Sequence, residues 1–126
     1  SACRYRRRGI MLKGKVVVVT GAANGIGRLV SRLLARQGAR LALLDVDRHQ
    51  LAKAEQEAKR GGAEAVRAYV CDVSNPENVE RTAKRVSEDL GDTYALVNNA
   101  AIVGEAKQVV EASPEGFMTT FGINTL

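Results

Sequence analysis

A run of valines that leads into a glycine-rich turn and a helical pattern constrains this chain more than any other stretch. The run is continuous and β-branched over residues 16–19, which is typical of a strand buried on both faces of a parallel sheet. Three glycines follow closely, at Gly21, Gly25 and Gly27. Apolar residues recur at helical spacing: Ile26, Leu29, Val30, Leu33 and Leu34. The sequence therefore predicts a strand, a glycine turn and a helix, in that order.

Each of the three glycines has a separate role in such a turn. Gly21 lets the chain turn sharply off the strand, Gly25 removes a Cβ where a bulky anion would lie, and Gly27 lets the helix approach the strand. The unpaired N–H groups and the positive dipole end of the helix favour a pyrophosphate. Because the glycines lie between a predicted strand and a predicted helix, a dinucleotide site is favoured over a purely structural turn.

An acidic residue that suits the same ligand follows the second strand. The first helix is predicted to end at about Gln37, before Gly38, and a second strand is predicted over residues 40–44. Asp45 comes next, about where the dinucleotide fold places a ribose-binding carboxylate. A carboxylate accepts hydrogen bonds from ribose hydroxyls and repels a 2′-phosphate, and Val46 rather than an arginine follows it. The pattern favours NAD over NADP, with an ordinary loop acid as the alternative.

A second helix and a third strand continue the alternation. Asp47 is expected to cap a helix over residues 48–60. That helix has a narrow apolar face: Leu51, Ala54 and Ala58. A third strand is predicted over residues 65–71, with Asp72 directly after it.

A third helix and a fourth strand complete the clear part of the pattern. Ser74 and Glu77 form a capping-box pattern around Pro76, at the start of a helix that ends at about Leu90. A short fourth strand is predicted over residues 94–97. Residues 102–112 are read as a loop, and a last helix is predicted to begin at Ser113 and Pro114. That helix places three side chains on one face: Phe117, Phe121 and Asn124.

Strand and helix thus alternate four times, which is the pattern of an α/β fold with a parallel sheet. Right-handed crossovers with the first strand in the centre give the strand order 3-2-1-4. We therefore expect a Rossmann-type doubly wound sheet that stops before its later strands, over residues 12–126, with a basic arm over residues 1–11.

The composition bounds the class of protein. The 126 residues amount to one domain, 45% of them are apolar, and no run approaches the roughly 18 apolar residues of a membrane helix. The first residues lack the apolar run of an intact signal peptide. Two cysteines, Cys3 and Cys71, make no disulfide framework, so a reducing, cytoplasmic location is expected. His49 is the sole histidine and has no second ligand candidate, so no metal site is predicted.

The formal net charge of +5 owes much to the first residues of the chain, where arginines surround Tyr5. These are Arg4, Arg6, Arg7 and Arg8. A solvated, disordered arm is one interpretation, and contact with anionic lipid or nucleic acid is the other. Nucleic acid is not expected as a partner of the domain itself.

Four motifs in order resemble those of the short-chain dehydrogenase/reductase family. Residues 20–27, Thr-Gly-Ala-Ala-Asn-Gly-Ile-Gly, are similar to its Thr-Gly-x-x-x-Gly-x-Gly motif. Asp72 matches the family's Asp after the third strand, and residues 98–101, Asn-Asn-Ala-Ala, resemble its Asn-Asn-Ala-Gly. Asn124 falls at the position of the family's active-site Asn. The resemblance covers about residues 12–126.

The resemblance implies a role for each matching residue. Five residues of the turn would hold the cofactor phosphates: Gly21, Asn24, Gly25, Ile26 and Gly27. Asp45 would bind the adenosine ribose, and Asp72 the adenine amino group, with the Val73 backbone beside it. Asn98 and Ala100 would line the cofactor cleft by their backbone, and Asn98 would also brace the central sheet. Asn124 would belong to the proton relay.

The chain departs from the family pattern in two respects. Ala101 replaces the usual glycine, which could crowd the cofactor cleft. The family's catalytic Ser and Tyr-x-x-x-Lys lie beyond its Asn position, outside this sequence. The three tyrosines cannot substitute, because none has a lysine four residues later: Tyr5, Tyr69 and Tyr94.

Two functions follow as expectations. The first is an NAD-dependent oxidoreductase that transfers a hydride between the cofactor and a small alcohol or ketone. These residues would form the cofactor half of its site, and the isolated chain is expected to show no turnover. The resemblance also implies a homo-oligomer when full length, and its membrane-bound members suggest association with the cytosolic face of a membrane as an alternative location. The second function is a non-catalytic dinucleotide-binding or interaction module.

Overall fold

The computed structural model describes residues 12–99, which form four strands and three helices. In chain order these are β1 (Val16–Thr20), α1 (Gly25–Arg36), β2 (Arg40–Asp45), α2 (Arg48–Arg60), β3 (Ala65–Val70), α3 (Pro76–Leu90) and β4 (Thr93–Val97). The elements predicted within residues 12–99 are all present, and their ends differ from the predicted ones by at most about one residue.

The four strands form one parallel sheet in the order β3-β2-β1-β4, which confirms the predicted fold class. β1 lies in the interior of the sheet, between β2 and β4, with Val18 opposite Ala42 on one side and Leu96 on the other. The carboxyl ends of β1, β2 and β4 therefore meet at one edge, where a parallel sheet of this type binds its ligands.

The sheet separates two hydrophobic clusters. One face carries Val17, Val19, Leu41 and Leu43, which pack with α2 residues. The α2 residues are those of its predicted apolar face: Leu51, Ala54 and Ala58. The other face packs against α3: Val16, Val18, Ala42 and Leu44 contact the cluster that holds Val79, Val86 and Leu90. The valine run is buried throughout because its alternate side chains serve both clusters.

α1 approaches the sheet through its smallest residues. Its buried positions are Gly27, Ser31 and Ala35. The apolar side chains that make the helix recognisable in the sequence point elsewhere: Ile26, Leu29 and Leu33 are 68%, 47% and 47% exposed among the described residues. Periodicity thus identifies the helix correctly, but it does not identify the face that packs.

The predicted capping box at the start of α3 is wrong. Asn75, not Ser74, is the N-cap, and its side chain accepts a hydrogen bond from the Asn78 N–H at 3.2 Å. Pro76 explains the shift, because a proline at the first helical position makes the residue before it the cap. Ser74 instead donates its hydroxyl to Asp72.

Within residues 12–99, no helix is both long and apolar enough to cross a membrane. Several predictions lie outside the described residues: the basic arm, the roles of Ala100 and Asn124, the departure at Ala101, and the last predicted helix.

Candidate functional site

The polar residues singled out in the sequence gather at the carboxyl edge of the sheet. Thr20 ends β1 and Asp45 ends β2, while Asn98 directly follows β4. Asp72 lies two positions beyond β3. The topology therefore brings four separated sequence motifs to one edge.

The glycine-rich turn uses backbone angles that side chains disfavour. Gly21 has φ +62° and Gly25 has φ +58°, in the left-handed region that glycine adopts without steric cost. A Cβ added at Gly25 would meet no described atom within 4 Å, so the space in front of the turn is open. The side chain of Asn24, the N-cap of α1, makes no capping hydrogen bond. The first N–H groups of α1 are therefore left to a ligand or to water.

Gly27 allows the helix to touch the strand end. A Cβ at this position would lie 2.1 Å from the Gly21 carbonyl oxygen and 3.0 Å from Asn99 Nδ2. No side chain fits there without moving backbone. The hydroxyl of buried Ser31 donates to the Gly27 carbonyl at 2.7 Å and fixes the first turn of α1.

The Asp45 carboxylate holds both the turn and its own loop. Its Oδ2 accepts the Ala23 N–H at 3.0 Å, and its Oδ1 accepts the N–H groups of Val46 at 2.7 Å and Asp47 at 3.2 Å. A carboxylate has about four acceptor positions, and three are used. The remaining one, on Oδ2, can accept a ligand hydroxyl with no rearrangement. A second hydroxyl would have to displace one of the three amides.

Arg28 binds the same turn from the other side. Its guanidinium forms a bidentate ion pair with Glu57 of α2, with Nε at 2.9 Å from Oε2. Its Nη1 donates to Gln50 Oε1 at 3.1 Å and to the Ala23 carbonyl at 3.4 Å. The hydrogen bonds that Arg28 donates to the Glu57 carboxylate raise the pKa of Arg28 and lower the pKa of Glu57.

A single buried hydroxyl joins the ends of β1 and β4. Thr20 Oγ1 lies 3.0 Å from Asn98 Oδ1 and 3.4 Å from the Val97 carbonyl oxygen, and it accepts the Asn99 N–H at 2.8 Å. The Asn98 side chain is thereby tied to the central strand, next to the glycine turn.

Asp72 is organised by its own loop. Its Oδ1 accepts the N–H of Ser74 at 3.0 Å and the Ser74 hydroxyl at 2.6 Å, and these hydrogen bonds lower the pKa of Asp72. Its backbone N–H donates to Asn78 Oδ1 at 2.9 Å. The Asp72 residue is exposed, whereas the Val73 side chain is half-buried against the cluster under α3.

Sequence reasoning missed three residues that shape the site: Thr20 as a hydrogen-bonding centre, Ser31, and Arg28. Arg28 left a signal, because it stands within the first turn of α1 and a cation near a helix N-terminus opposes the helix dipole. Thr20 opens the glycine-rich motif, but the hydrogen bonds of Thr20 and Ser31 had no signal in the sequence beyond the polarity of each residue within a buried stretch.

The family model described as enoyl-(acyl carrier protein) reductase matches residues 21–126. Human epidermal retinol dehydrogenase 2 is 37% identical over 111 residues, which are 88% of this chain and 36% of that protein. The chain spans about a third of the length of the curated relatives it matches, from 29% to 37%.

Solved structures agree with the sequence comparison. The structure of NAD⁺-bound xylitol dehydrogenase superimposes with a TM-score of 0.72 at 32% identity, over 90% of this chain and 52% of that one. A metagenomic short-chain oxidoreductase in complex with NADP gives a TM-score of 0.68 at 36% identity, over 72% of this chain and 41% of that one. With the family model, the ordered motifs and the sheet topology in agreement, the chain belongs to the short-chain dehydrogenase/reductase family, whose N-terminal part it matches.

Proposed function

We propose that the carboxyl edge of this sheet binds NAD and serves an oxidoreductase that interconverts an alcohol and a ketone or aldehyde. The observation that carries the proposal is the contact between Asp45 and the glycine-rich turn, since the acid that would bind the ribose is hydrogen-bonded to the turn that would bind the phosphates.

The turn suits a pyrophosphate for reasons visible in its geometry. The space in front of Gly25 is open among the described residues, and the N–H groups that begin α1 have no side-chain cap from Asn24. Phosphate oxygens would accept hydrogen bonds from this helix start, around Gly21, Ile26 and Gly27, and would be favoured by the helix dipole.

Asp45 would then distinguish the two nicotinamide dinucleotides. Its free Oδ2 position accepts one hydroxyl of the adenosine ribose, whereas a 2′-phosphate would meet an anion that three backbone amides hold in place. Solved relatives hold NADP in one case and NAD⁺ in another, so membership of the family does not by itself choose the cofactor. We therefore assign the preference for NAD to this acid.

The remaining site residues complete the cleft. Exposed Asp72, fixed by Ser74, would accept the adenine amino group, with the Val73 backbone beside it. Asn98, tied to Thr20, and Ala100 would line the nicotinamide side by their backbone. Asn124 would belong to a proton relay. When bound, the dinucleotide supplies the hydride donor or acceptor, and the protein supplies orientation.

The substrate class follows from the chemistry of the family. The human relative is named a retinol dehydrogenase, which makes an alcohol carbon the reacting centre in that protein. An alcohol or carbonyl substrate is proposed here by the same reasoning, with the Ser and Tyr-x-x-x-Lys of the family expected in the complete natural protein and homo-oligomerisation expected of it.

Titration of NADH and NADPH against the wild type and Asp45→Ala tests the proposal. The wild type should bind NADH at least about tenfold more tightly than NADPH, and the variant should lose this preference, because a charge-assisted contact and a repulsion disappear together. Asp47→Asn is the matched control: it neutralises a neighbouring acid but retains an oxygen that can cap α2. A wild type that prefers NADPH, or a variant that keeps the NADH preference, would contradict the proposal.

A further inference from the structure

We infer that Arg28 is a positioning residue of the dinucleotide site, which clamps Ala23 of the glycine-rich turn and thereby sets where Asp45 stands. The inference rests on the proposed function, since it concerns the same site. It assigns a role to a side chain whose described contacts are with protein atoms.

The clamp consists of two hydrogen bonds made by the backbone of Ala23. Ala23 donates its N–H to Asp45 Oδ2 at 3.0 Å and accepts Arg28 Nη1 at its carbonyl at 3.4 Å. Ala23 itself is fully buried, so it cannot exchange these partners for water at little cost. The turn is consequently held from the end of β2 and from α1 simultaneously.

The other hydrogen bonds of the guanidinium are donated to residues of α2. Its Nε and Nη2 bind the two carboxylate oxygens of Glu57, and Nη1 also reaches Gln50. The Arg28 and Glu57 side chains are only 22% and 30% exposed. The planar fork of arginine fits this set of acceptors, and a lysine ammonium cannot span it.

The position of the cation indicates a specific role. A positive charge near the start of a helix opposes the helix dipole, and here it stands close to the place where an anion is to bind. Glu57 neutralises that charge within the protein. Arg28 is thus available as a hydrogen-bond donor to the turn and is not itself the phosphate ligand.

Loss of the clamp should alter binding more than it alters folding. Without Arg28 the Ala23 carbonyl loses its side-chain donor, and the Ala23 N–H is held less firmly on Asp45 Oδ2, while the amides of Val46 and Asp47 still bind Oδ1. We expect Arg28→Met to weaken NADH binding by about tenfold and to reduce the NADH-over-NADPH preference, because one charge-assisted hydrogen bond and its dependent geometry are removed.

A charge swap separates positioning from simple bracing of two helices. The double variant Arg28→Glu with Glu57→Arg restores an ion pair between α1 and α2, but it places the guanidinium on α2 and leaves no donor at residue 28 for the Ala23 carbonyl. The swap should recover the thermal stability lost in Arg28→Met and fail to recover NADH affinity. Lys59→Met is the matched control, because it removes a cation whose partner Glu55, 3.9 Å away, lies on the same helix.

The measurements are made on the complete natural protein, with NADH and NADPH titrations, thermal melts and amide hydrogen exchange of the ligand-free form. Faster exchange of the Ala23 N–H in Arg28→Met, and not in Lys59→Met, would support the clamp without any ligand. Should Arg28→Met be unfolded, Gln50→Ala tests the same guanidinium by removing one acceptor, with faster exchange again expected.

Three results would overturn the inference: unchanged Ala23 exchange in Arg28→Met, unchanged NADH affinity in that variant, or recovery of affinity by the charge swap. A different result would contradict the proposed function, namely that the wild type binds neither dinucleotide. In that case the exchange measurement still decides whether Arg28 holds the turn.

Discussion

At the scale of single residues, the site depends on side chains that bind backbone. Asp45 accepts three amides, Thr20 accepts one, and Arg28 donates to a carbonyl as well as to Glu57. Such contacts fix the chain at the carboxyl edge of the sheet, where the dinucleotide is proposed to bind. Each of these side chains combines a polar atom with the reach that its backbone partner requires.

The Arg28–Glu57 pair predicts a specific acid sensitivity. Its hydrogen bond lowers the pKa of Glu57 in the folded state, so the pair contributes stability above the unfolded-state pKa of about 4.3, and that contribution is lost as the pH falls through the lower folded-state pKa. Glu57→Gln should reduce the free energy of unfolding by about 1 kcal/mol at pH 7 and by less at pH 3.

Urea unfolding at a series of pH values, followed by circular dichroism, measures this difference. Glu88→Gln serves as the control for the loss of one negative charge, since it removes an exposed acid of α3. A Glu57→Gln deficit that stays constant from pH 7 to pH 3 would contradict the assignment.

At the scale of elements, the sequence predicts type and order well and contacts less well. The valine run, the glycines and the alternating pattern are strong local signals, and the strand order follows from the handedness of crossovers. The predicted N-cap of α3 was wrong because Ser74 and Glu77 fit the capping-box pattern, whereas Pro76 makes Asn75 the cap, one residue later. The packing face of α1 escaped periodicity, since Gly27, Ser31 and Ala35 carry almost no apolar signal.

The candidate site shows the same division. Asp45, Asn98 and the three turn glycines were predicted because each belongs to a motif with a definite place after a strand. Arg28 was missed because its partner Glu57 is distant in sequence, and only the packing of α1 against α2 brings the two together. The motifs therefore indicate the residues proposed to contact the ligand, whereas a residue that supports them through packing, such as Arg28, has no motif of its own.

The corrected cap of α3 leads to a prediction at this scale. Asn75→Ala should reduce the free energy of unfolding by about 1 kcal/mol, because the Asn78 N–H loses its acceptor at a helix start. Ser74→Ala should leave the helix cap intact and instead raise the pKa of Asp72, whose carboxylate loses the hydroxyl donor. Denaturant unfolding and carboxyl titration by NMR separate the two effects, and equal helix destabilisation by both variants would restore the capping box.

At the scale of the whole molecule, the sheet separates two hydrophobic clusters of the described residues. Leu43 packs in the cluster with α2, and Val86 of α3 packs in the cluster on the opposite face. Both side chains are fully buried. The two clusters share the sheet backbone, but within residues 12–99 these two residues have no cluster partner in common.

We therefore expect additive destabilisation across the sheet. Leu43→Ala should cost about 2–5 kcal/mol, and Val86→Ala somewhat less because it removes less volume. The double variant should show their sum to within about 0.5 kcal/mol. Leu43→Ala with Leu51→Ala, two residues of the same cluster, is the comparison that should deviate from additivity, with equilibrium unfolding as the measurement. Strong coupling between Leu43 and Val86 would mean that the two clusters are not separate.

The small residues beneath α1 have a consequence for how such a chain can diverge. The distance between α1 and β1 is short because the buried residues of α1 are small, above all Gly27, and not because large side chains interlock there. Substitutions on the outer side of α1, at Leu29 or Leu33, need not shift its axis within the described residues. Two relatives can therefore keep the same glycine-rich turn while the outer residues of this helix differ widely between them.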